Sequence, residues 1–202
     1  MNRSNKPSAA NLVAIALALA LAGCGGAASP PPEPPLAGAA IGGDFTLTGG
    51  KGQPVRWGDF AGKYRIVYFG YTFCPDVCPT DMQRVAQGLK LLKGRDAGLA
   101  AKIVPIFISL DPERDTPQVV GEFAAAFSPD VVGLTGTREQ VDAAAKTFAV
   151  AHAKGEAQPG GGYLVDHSRI VYLFGPDGAP IATLPADQGA EAVAAELERW
   201  VS

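Results

Sequence analysis

The sequence predicts an α/β fold in which helices cover both faces of a mixed central sheet, with an N-terminal β-hairpin before it. Patterns typical of strands and helices alternate between residues 44 and 150, as expected when helices connect the strands of one sheet. The end of the chain breaks this alternation with a hairpin and a helix, which favours a sheet whose strands do not all run in one direction.

The first elements follow in order from residue 45. Residues 45–48 and 55–57 flank a glycine-containing turn and predict the N-terminal hairpin. Residues 65–70, Arg-Ile-Val-Tyr-Phe-Gly, form a β-branched and aromatic run that is typical of a buried strand. After Pro79, apolar residues recur at helical spacing and predict a helix. They are Met82, Val85, Ala86, Leu89 and Leu92.

The middle of the chain repeats this strand and helix pattern. Residues 103–110 predict a second buried strand. Thr116 then caps a helix that has Pro117 as its first residue. Residues 131–134 predict a third short strand, and residues 137–150 predict a helix with one apolar face.

The last elements form a hairpin and a helix. Residues 170–174 and 180–184 flank the turn Gly175-Pro176-Asp177-Gly178, which is typical of a hairpin. Asp187 is predicted to cap the final helix. A thioredoxin-like fold fits this order of elements.

The N-terminal segment has the features of an export signal. Two cationic residues precede the apolar residues 12–22, which are too few to cross a bilayer because a spanning helix needs about 20 residues. The ending Leu21-Ala22-Gly23-Cys24 resembles a bacterial lipobox, in which the cysteine is lipidated and becomes the first mature residue. Residues 1–23 are therefore predicted to be a lipoprotein signal peptide, and Cys24 the lipidated residue.

Residues 24–43 are rich in proline, glycine and alanine and are predicted to be a tether between a membrane and the domain at residues 44–202. The formal net charge is −3, and the sequence has no basic cluster. Nucleic acid is therefore excluded as a partner, since proteins that bind it normally carry a basic face. The expected location is the bacterial cell envelope, with a lipid anchor and the domain on the periplasmic or extracytoplasmic side.

Cys74 and Cys78 lie beside prolines where the strand at residues 65–70 passes into a helix. An exported protein can keep a disulfide, and two thiolates at this spacing can also bind a soft metal such as Cu(I). Pro79 favours Cys78 as the helix cap, with its sulfur at the positive end of the helix dipole. A disulfide that only closed so short a loop would add little stability, but the spacing alone leaves disulfide and metal chemistry open.

The sequence has two histidines, His152 and His167. His167 lies directly before the strand at residues 170–174, where a side chain can reach a site. His152 is predicted to be a solvated side chain near a helix end. Gly155 and the glycines at 160–162 suggest a mobile loop that lets His167 approach or leave the thiolates, and the alternative is an ordinary flexible connection.

Three motifs in this sequence together resemble the Sco (SenC) family. They are Gly70-Tyr71-Thr72-Phe73-Cys74-Pro75-Asp76-Val77-Cys78-Pro79, Ile108-Ser109-Leu110-Asp111-Pro112-Glu113-Arg114-Asp115-Thr116-Pro117 and Tyr163-Leu164-Val165-Asp166-His167-Ser168. The resemblance implies a membrane-anchored, thioredoxin-like copper protein that helps assemble the dinuclear copper centre in cytochrome c oxidase subunit II. It also implies copper as the bound metal, as Cu(I) or Cu(II).

By this resemblance, Cys74, Cys78 and His167 are the copper ligands. Two thiolates and an imidazole suit Cu(I), and a site with three ligands leaves room for a ligand from a partner protein. Without metal the thiols can form the disulfide Cys74–Cys78, so copper loading is expected to depend on redox state. The expected partners are therefore subunit II or another cuproprotein, and a thiol reductant of the thioredoxin type.

Asp111 and Asp166 are predicted to lie close behind the ligands. A carboxylate at either position could orient the imidazole of His167 or steer a partner. Asp111 can equally cap the turn before Pro112, so its role stays open from the sequence.

Other functions fit the cysteine pair less well. A thiol-disulfide oxidoreductase that keeps oxidase cysteines reduced is the main alternative, so it stays open whether the protein is an enzyme, although such reductants usually carry Cys-x-x-Cys. A peroxidase is disfavoured because Tyr71 stands where peroxiredoxins have threonine. A zinc site that adds His152 and His167 is disfavoured because the histidines exceed the usual spacing of about four to six positions. Copper storage or sensing would use the same site.

Overall fold

A seven-stranded sheet of mixed direction forms the centre of the structure, a computed structural model that describes residues 32–158 and 161–202. The predicted signal peptide at residues 1–23, the lipidation at Cys24 and the tether up to residue 31 lie outside the described residues. Among the described residues, no helix is long and apolar enough to cross a bilayer.

The strands are β1 (Thr46–Gly49), β2 (Pro54–Arg56), β3 (Tyr64–Gly70), β4 (Ile103–Ser109), β5 (Val132–Thr135), β6 (His152–Ala157), β7 (Tyr163–His167), β8 (Val171–Phe174) and β9 (Pro180–Thr183). The α-helices are α1 (Val77–Arg95), α2 (Ala97–Ala100), α3 (Pro117–Ala125), α4 (Arg138–Thr147) and α5 (Ala190–Trp200). Short 3-10 turns cover Trp57–Phe60 and Ala186–Gln188.

The strands of the large sheet run in the order β2-β1-β5-β4-β3-β8-β9. The pairs β3–β4 and β4–β5 are parallel, whereas β1 and β8 add to this core in antiparallel direction. All seven residues of β3 are buried, as expected for a parallel strand with both faces covered. The prediction of a mixed central sheet with helices is therefore confirmed.

Helices α1 and α5 pack against each other, and a glycine permits their close approach. A Cβ atom at Gly88 of α1 would lie 2.6 Å from Cγ1 of Val193 on α5, which is too close for carbon atoms. Elsewhere the core contains a cluster of aromatic rings packed at centroid distances of 5.3–6.1 Å. These rings are Phe45, Trp57, Phe69, Phe148 and Phe174.

Helix α1 begins earlier than the sequence predicts. Asp76 is the N-cap, and Cys78 lies in the first turn, so the prediction that Cys78 caps the helix is wrong. The first N–H groups of a helix have no intrahelical partner, so Pro79 is tolerated one step further inside. The Cys78 sulfur still lies near the positive end of the helix.

The last helix begins later than predicted. Asp187 lies in the 3-10 turn Ala186–Gln188 and not at the start of α5, so its predicted capping role is wrong. Gly189 separates the two elements with a φ of 104°. A glycine adopts this left-handed conformation at little cost, which lets the chain change direction before the helix starts.

Strands β6 and β7 form a separate two-stranded sheet that the sequence analysis did not predict. The sequence of β6, His-Ala-Lys-Gly-Glu-Ala, has low strand propensity and no apolar alternation. Gly155 lies within β6, where a Cβ atom would be 3.0 Å from the carbonyl oxygen of Leu164. Gly160 lies outside the described residues, so the proposed loop motion rests on the sequence alone.

The folded unit begins at Pro34 and not at Asp44, since residues 34–43 of the predicted tether pack on the domain. Leu36 and Ile41 contact the hydrophobic core. The N–H of Leu36 donates to the carbonyl oxygen of Ile181 at 2.9 Å, and the N–H of Gly42 donates to that of Thr147 at 3.0 Å. Two apolar side chains and two backbone hydrogen bonds thus hold a segment whose composition suggested only an extended linker.

Candidate metal centre

Cys78 and His167 meet at the carboxyl end of β3. Cys78 is in the first turn of α1, and His167 is the last residue of β7. The Sγ atom of Cys78 lies 3.3 Å from Nε2 of His167. Cys74, in the loop between β3 and α1, accepts a hydrogen bond on its sulfur from the N–H of Cys78 at 3.4 Å. Cys74 and His167 therefore each contact Cys78.

A backbone carbonyl sets the orientation of the His167 ring. Nδ1 lies 3.1 Å from the carbonyl oxygen of Ser168, which can only accept a hydrogen bond, so Nδ1 carries the proton. The lone pair of Nε2 then faces the Cys78 sulfur. Burial lowers the pKa of His167, which keeps the imidazole neutral near pH 7. A neutral imidazole with a free Nε2 lone pair is the form that binds metals.

Two tyrosines enclose the imidazole of His167. The Tyr68 ring lies edge-on to it at a centroid distance of 6.2 Å, and the Tyr71 ring at 6.0 Å. Both tyrosines are buried. The ring of His167 is therefore held by packing as well as by its hydrogen bond.

The two cysteines are free thiols with different acidities. Burial raises the pKa of Cys78, and the neighbouring Cys74 raises it further. Burial also acts to raise the pKa of Cys74, but hydrogen bonds from the N–H groups of Asp76, Cys78 and Val77 and from the Cys78 thiol outweigh it and lower the pKa overall. Cys74 is thus the more acidic thiol, and its residue is 8% exposed whereas Cys78 is fully buried.

Two thiols and an imidazole suit a soft metal, but the three side chains are too far apart to bind one ion together. A sulfur and a nitrogen 3.3 Å apart can both bind one ion at about 2.0–2.3 Å with an angle of about 100° between them. Within the described ranges, however, no group of three or more His, Cys, Asp or Glu side chains is close enough together to hold a metal. Binding by all three ligands therefore requires a shift of at least one side chain.

The two aspartates expected behind the ligands have other neighbours. Asp111 is fully buried, pairs with Arg114 and accepts a hydrogen bond from the Tyr163 hydroxyl at 2.6 Å. Asp166 is exposed on β7, and its side chain points away from that of His167 because adjacent strand residues alternate between faces. In the described part of the chain, neither aspartate is hydrogen-bonded to His167, whose partner is the Ser168 carbonyl.

His152 is half-buried, so the prediction of a solvated side chain is wrong. It lies opposite His167 in the β6–β7 ladder. Its Nε2 atom is 3.3 Å from Oδ1 of Asp142 on α4. This contact directs the His152 imidazole to a carboxylate and not to the sulfur atoms.

Asp115 holds the cysteine loop, and the sequence analysis assigned it no role. Its buried carboxylate accepts hydrogen bonds from the N–H of Thr72 at 2.9 Å and from the Thr72 hydroxyl at 2.6 Å. It also accepts one from the Ser109 hydroxyl at the end of β4. The loop before Cys74 is thus fixed to the neighbouring strand. The only available signal was its position in the second family motif.

Asp81 is a second buried acid that the sequence analysis missed. It lies on α1 one turn after Cys78 and accepts hydrogen bonds from Tyr68 and Arg169. A charged residue directly beside Met82, on the apolar side of the helix, was the available signal. Asp81 thus binds residues next to Cys78 and His167, and Asp115 binds the loop before Cys74.

The rim of the site carries an exposed aromatic ring. Phe73, adjacent to Cys74, is 54% exposed. The guanidinium of Arg114 lies 4.9 Å from the Phe73 ring centroid and 3.7 Å from that of Tyr163. The surface beside Cys74 therefore has apolar and cationic groups side by side.

Comparison with known proteins places this site in a defined family. The model of the SCO1/SenC family matches residues 33–202. The human mitochondrial SCO1 homolog is 41% identical over 138 residues, which cover 68% of this chain and 45% of that protein. Protein SenC of Rhodobacter capsulatus is 45% identical over 143 residues, 69% of this chain and 61% of SenC. The chain spans about half the length of these relatives.

Solved structures of copper-bound relatives have the same fold. ScoI of Bradyrhizobium japonicum with copper bound is 36% identical with a TM-score of 0.71, and the match covers 80% of this chain and 100% of that one. ScoI of Arabidopsis thaliana with copper bound is 35% identical with a TM-score of 0.72, covering 79% and 98% of the two chains. These likenesses confirm the predicted thioredoxin-like fold.

Proposed function

Because the chain belongs to the SCO1/SenC family, we propose that it binds copper through Cys74, Cys78 and His167 and delivers it to the dinuclear copper centre of cytochrome c oxidase subunit II. The observation that carries the proposal is the 3.3 Å approach of the His167 Nε2 lone pair to the Cys78 sulfur. Copper bound to the solved relatives supports the choice of metal.

The two thiols have different tasks in this proposal. Cys74 is the more acidic and the more accessible, so its thiolate makes the first bond to arriving Cu(I). Cys78 loses its proton as copper binds, because a coordinating thiol is deprotonated. The neutral His167 imidazole completes the set. With three ligands, copper keeps an open position at which a ligand of the acceptor can bind.

A second function, thiol-disulfide exchange with oxidase cysteines, is favoured by the unequal thiols. An acidic, more accessible Cys74 suits attack on a disulfide, and the buried Cys78 suits resolution of the mixed disulfide that forms. The resulting Cys74–Cys78 disulfide would need reduction by a thiol reductant of the thioredoxin type before either function could resume. The same disulfide removes both sulfur ligands from copper.

We place the protein in the bacterial cell envelope, anchored through a lipid on Cys24. Support comes from the apolar leader and the Leu21-Ala22-Gly23-Cys24 ending. Labelling with a radioactive fatty acid, followed by immunoprecipitation, should mark the wild-type chain and leave Cys24→Ser unlabelled. Equal labelling of both chains would contradict the anchor.

The proposed delivery is tested by copper transfer to the soluble domain of a candidate subunit II. Copper-loaded wild-type protein should transfer its copper, and His167→Ala should hold copper more weakly and transfer less. His152→Ala is the matched control, since it removes the histidine that pairs with Asp142, and it should behave as wild type. If loaded wild-type protein transfers no copper, while the metal-free reduced protein still reduces the acceptor's disulfide and becomes oxidised at Cys74 and Cys78, thiol exchange is the function and delivery is excluded.

A further inference from the structure

We propose that Asp81 is a positioning residue that holds His167 against Cys78, acting through Arg169 and Tyr68. This inference rests on the proposed copper function, because it concerns the geometry of the same three ligands. Asp81, Tyr68 and Arg169 all lie outside the three sequence motifs.

The carboxylate of Asp81 is enclosed by two donors. Its side chain is 3% exposed. Nη2 of Arg169 lies 3.0 Å from Oδ1 and 3.1 Å from Oδ2, and Nε lies 3.3 Å from Oδ2. The Tyr68 hydroxyl donates to Oδ2 at 3.1 Å. Both carboxylate oxygens therefore have charged or polar partners, as a buried acid requires.

The ion pair joins the two elements that carry Cys78 and His167. Asp81 follows Cys78 by one helical turn on α1, so it shares the rigid frame of that ligand. Arg169 follows His167 by two residues, directly after β7. A bond between Asp81 and Arg169 therefore fixes the backbone after His167 relative to the start of α1.

Tyr68 provides the second connection from Asp81 to His167. Its hydroxyl is held by Asp81, and the edge of its ring packs against the imidazole at a centroid distance of 6.2 Å. Loss of the carboxylate would release the Tyr68 hydroxyl and the Arg169 guanidinium together. The Asp81 carboxylate thus supports both the contact of the His167 ring with Tyr68 and the position of the backbone after His167.

The chain offers a matched control on the same helix. Arg84 on α1 also reaches across to the 3-10 turn Ala186–Gln188, where it donates to the carbonyl oxygens of Ala186 and Asp187. Arg84→Gln removes an arginine contact of similar reach that does not involve His167. This variant shows how much stability is lost when such a contact is removed without changing the surroundings of His167.

The test is a double-mutant cycle on Cu(I) affinity, measured by competition with a chromogenic chelator in reduced protein. Arg169→Gln should weaken Cu(I) binding about 10-fold or more, the usual loss when the support of a metal ligand is removed. The same substitution in a His167→Ala background should cause no further loss. Arg169→Lys should recover part of the affinity, and Arg84→Gln should leave it unchanged. An equal loss in both backgrounds would overturn the proposal.

A measurement on the metal-free protein keeps the test independent of copper. Nuclear Overhauser effects between the ring protons of Tyr68 and His167 should weaken in Asp81→Asn and Arg169→Gln and persist in Arg84→Gln. Unchanged effects in the first two variants would overturn the positioning role. If the cycle and the ring contacts behave as expected but loaded wild-type protein delivers no copper, the proposed function fails while the role of Asp81 stands.

Discussion

Cys74 and Cys78 share one loop and differ in their chemical surroundings. Cys74 receives backbone N–H groups at the start of α1, whereas Cys78 points into the core beside Tyr68 and His167. Hydrogen bonds to a thiolate stabilise the charged form, whereas burial destabilises it, and at Cys78 burial outweighs the donors from Tyr71 and Tyr68. The pKa of Cys74 is therefore lower than that of Cys78 because the N–H groups at the start of α1 reach the Cys74 sulfur, whereas Cys78 is buried more deeply.

This asymmetry predicts the order of chemical modification. In the reduced, metal-free protein, iodoacetamide should alkylate Cys74 first, with a half-maximal rate at a pH below that of an ordinary thiol, because its pKa is lowered. Cys78 should react only at higher pH, because burial raises its pKa. Peptide mass spectrometry across a pH series gives both profiles. Equal rates at the two positions would show that the N–H donors do not act as described.

A second residue-level prediction concerns acid stability. Burial lowers the pKa of His167, so the folded protein binds fewer protons than the unfolded chain as pH falls below the ordinary histidine value of about 6.5. The free energy of unfolding should therefore fall as the pH drops from about 6.5 through the lowered pKa. Urea unfolding of reduced protein at several pH values should show a smaller fall for His167→Gln.

The control for this prediction is the other histidine. His152→Gln should keep the wild-type fall in stability between neutral and acidic pH, since the effect is assigned to His167. If both glutamine variants retain the full effect, another group is responsible.

At the scale of elements, the contact between α1 and α5 requires a residue without a side chain. Gly88→Ala would normally stabilise a helix by about 0.5–1 kcal/mol, but here the new methyl group meets Val193 and the carbonyl oxygen of Ala190. We expect a net loss of about 1–3 kcal/mol from overpacking, measured by urea unfolding.

The same helix contains the matched control. Gly94 of α1 has open space at its Cβ position, so Gly94→Ala should stabilise the protein by about 0.5–1 kcal/mol. Val193→Ala should restore part of the stability lost by Gly88→Ala. If Gly88→Ala raised the stability as Gly94→Ala does, the contact between α1 and α5 would not require a glycine at position 88.

Several elements could be predicted from the sequence because their patterns are local. The buried strands β3 and β4 are rich in β-branched and aromatic residues, and Thr116 caps α3 as expected, accepting a hydrogen bond from the N–H of Val119. The β6–β7 hairpin could not be predicted, because β6 is held by pairing with β7 and not by its own composition.

The candidate site divides in the same way. Cys74, Cys78 and His167 could be identified because they stand in recognisable motifs. The positions of Asp81 and Arg169 could not, since their contact joins residues far apart in sequence, and no local pattern reports a pair of that kind. The orientation of His167 by the Ser168 carbonyl depends on backbone direction, which residue types do not encode.

At the scale of the whole molecule, the N-terminal residues 34–43 belong to the folded unit. A chain that begins at Asp44 should be less stable than one that begins at Pro34. The expected loss is about 2 kcal/mol, since Leu36 and Ile41 are each half-buried and full burial of such a side chain contributes about 1.5–3 kcal/mol. Urea unfolding of the two chains measures it.

A double substitution in the longer chain tests whether the stability is lost because apolar packing is lost and not because the chain is shorter. Leu36→Ser with Ile41→Ser, in the chain that begins at Pro34, should reproduce most of the loss. If the shortened chain is as stable as the longer one, residues 34–43 only lie on the surface and contribute nothing to the fold.

The separate β6–β7 sheet has a consequence for the motion of His167 relative to the two cysteines. His167 belongs to a two-stranded unit, whereas both cysteines are attached to the seven-stranded sheet and α1. Small units open at lower free energy than the core of a domain. When the Asp81–Arg169 contact breaks, the imidazole of His167 can therefore move with the β6–β7 unit while the thiols keep their framework, so local opening around His167 and unfolding of the whole protein are separate equilibria with separate rates.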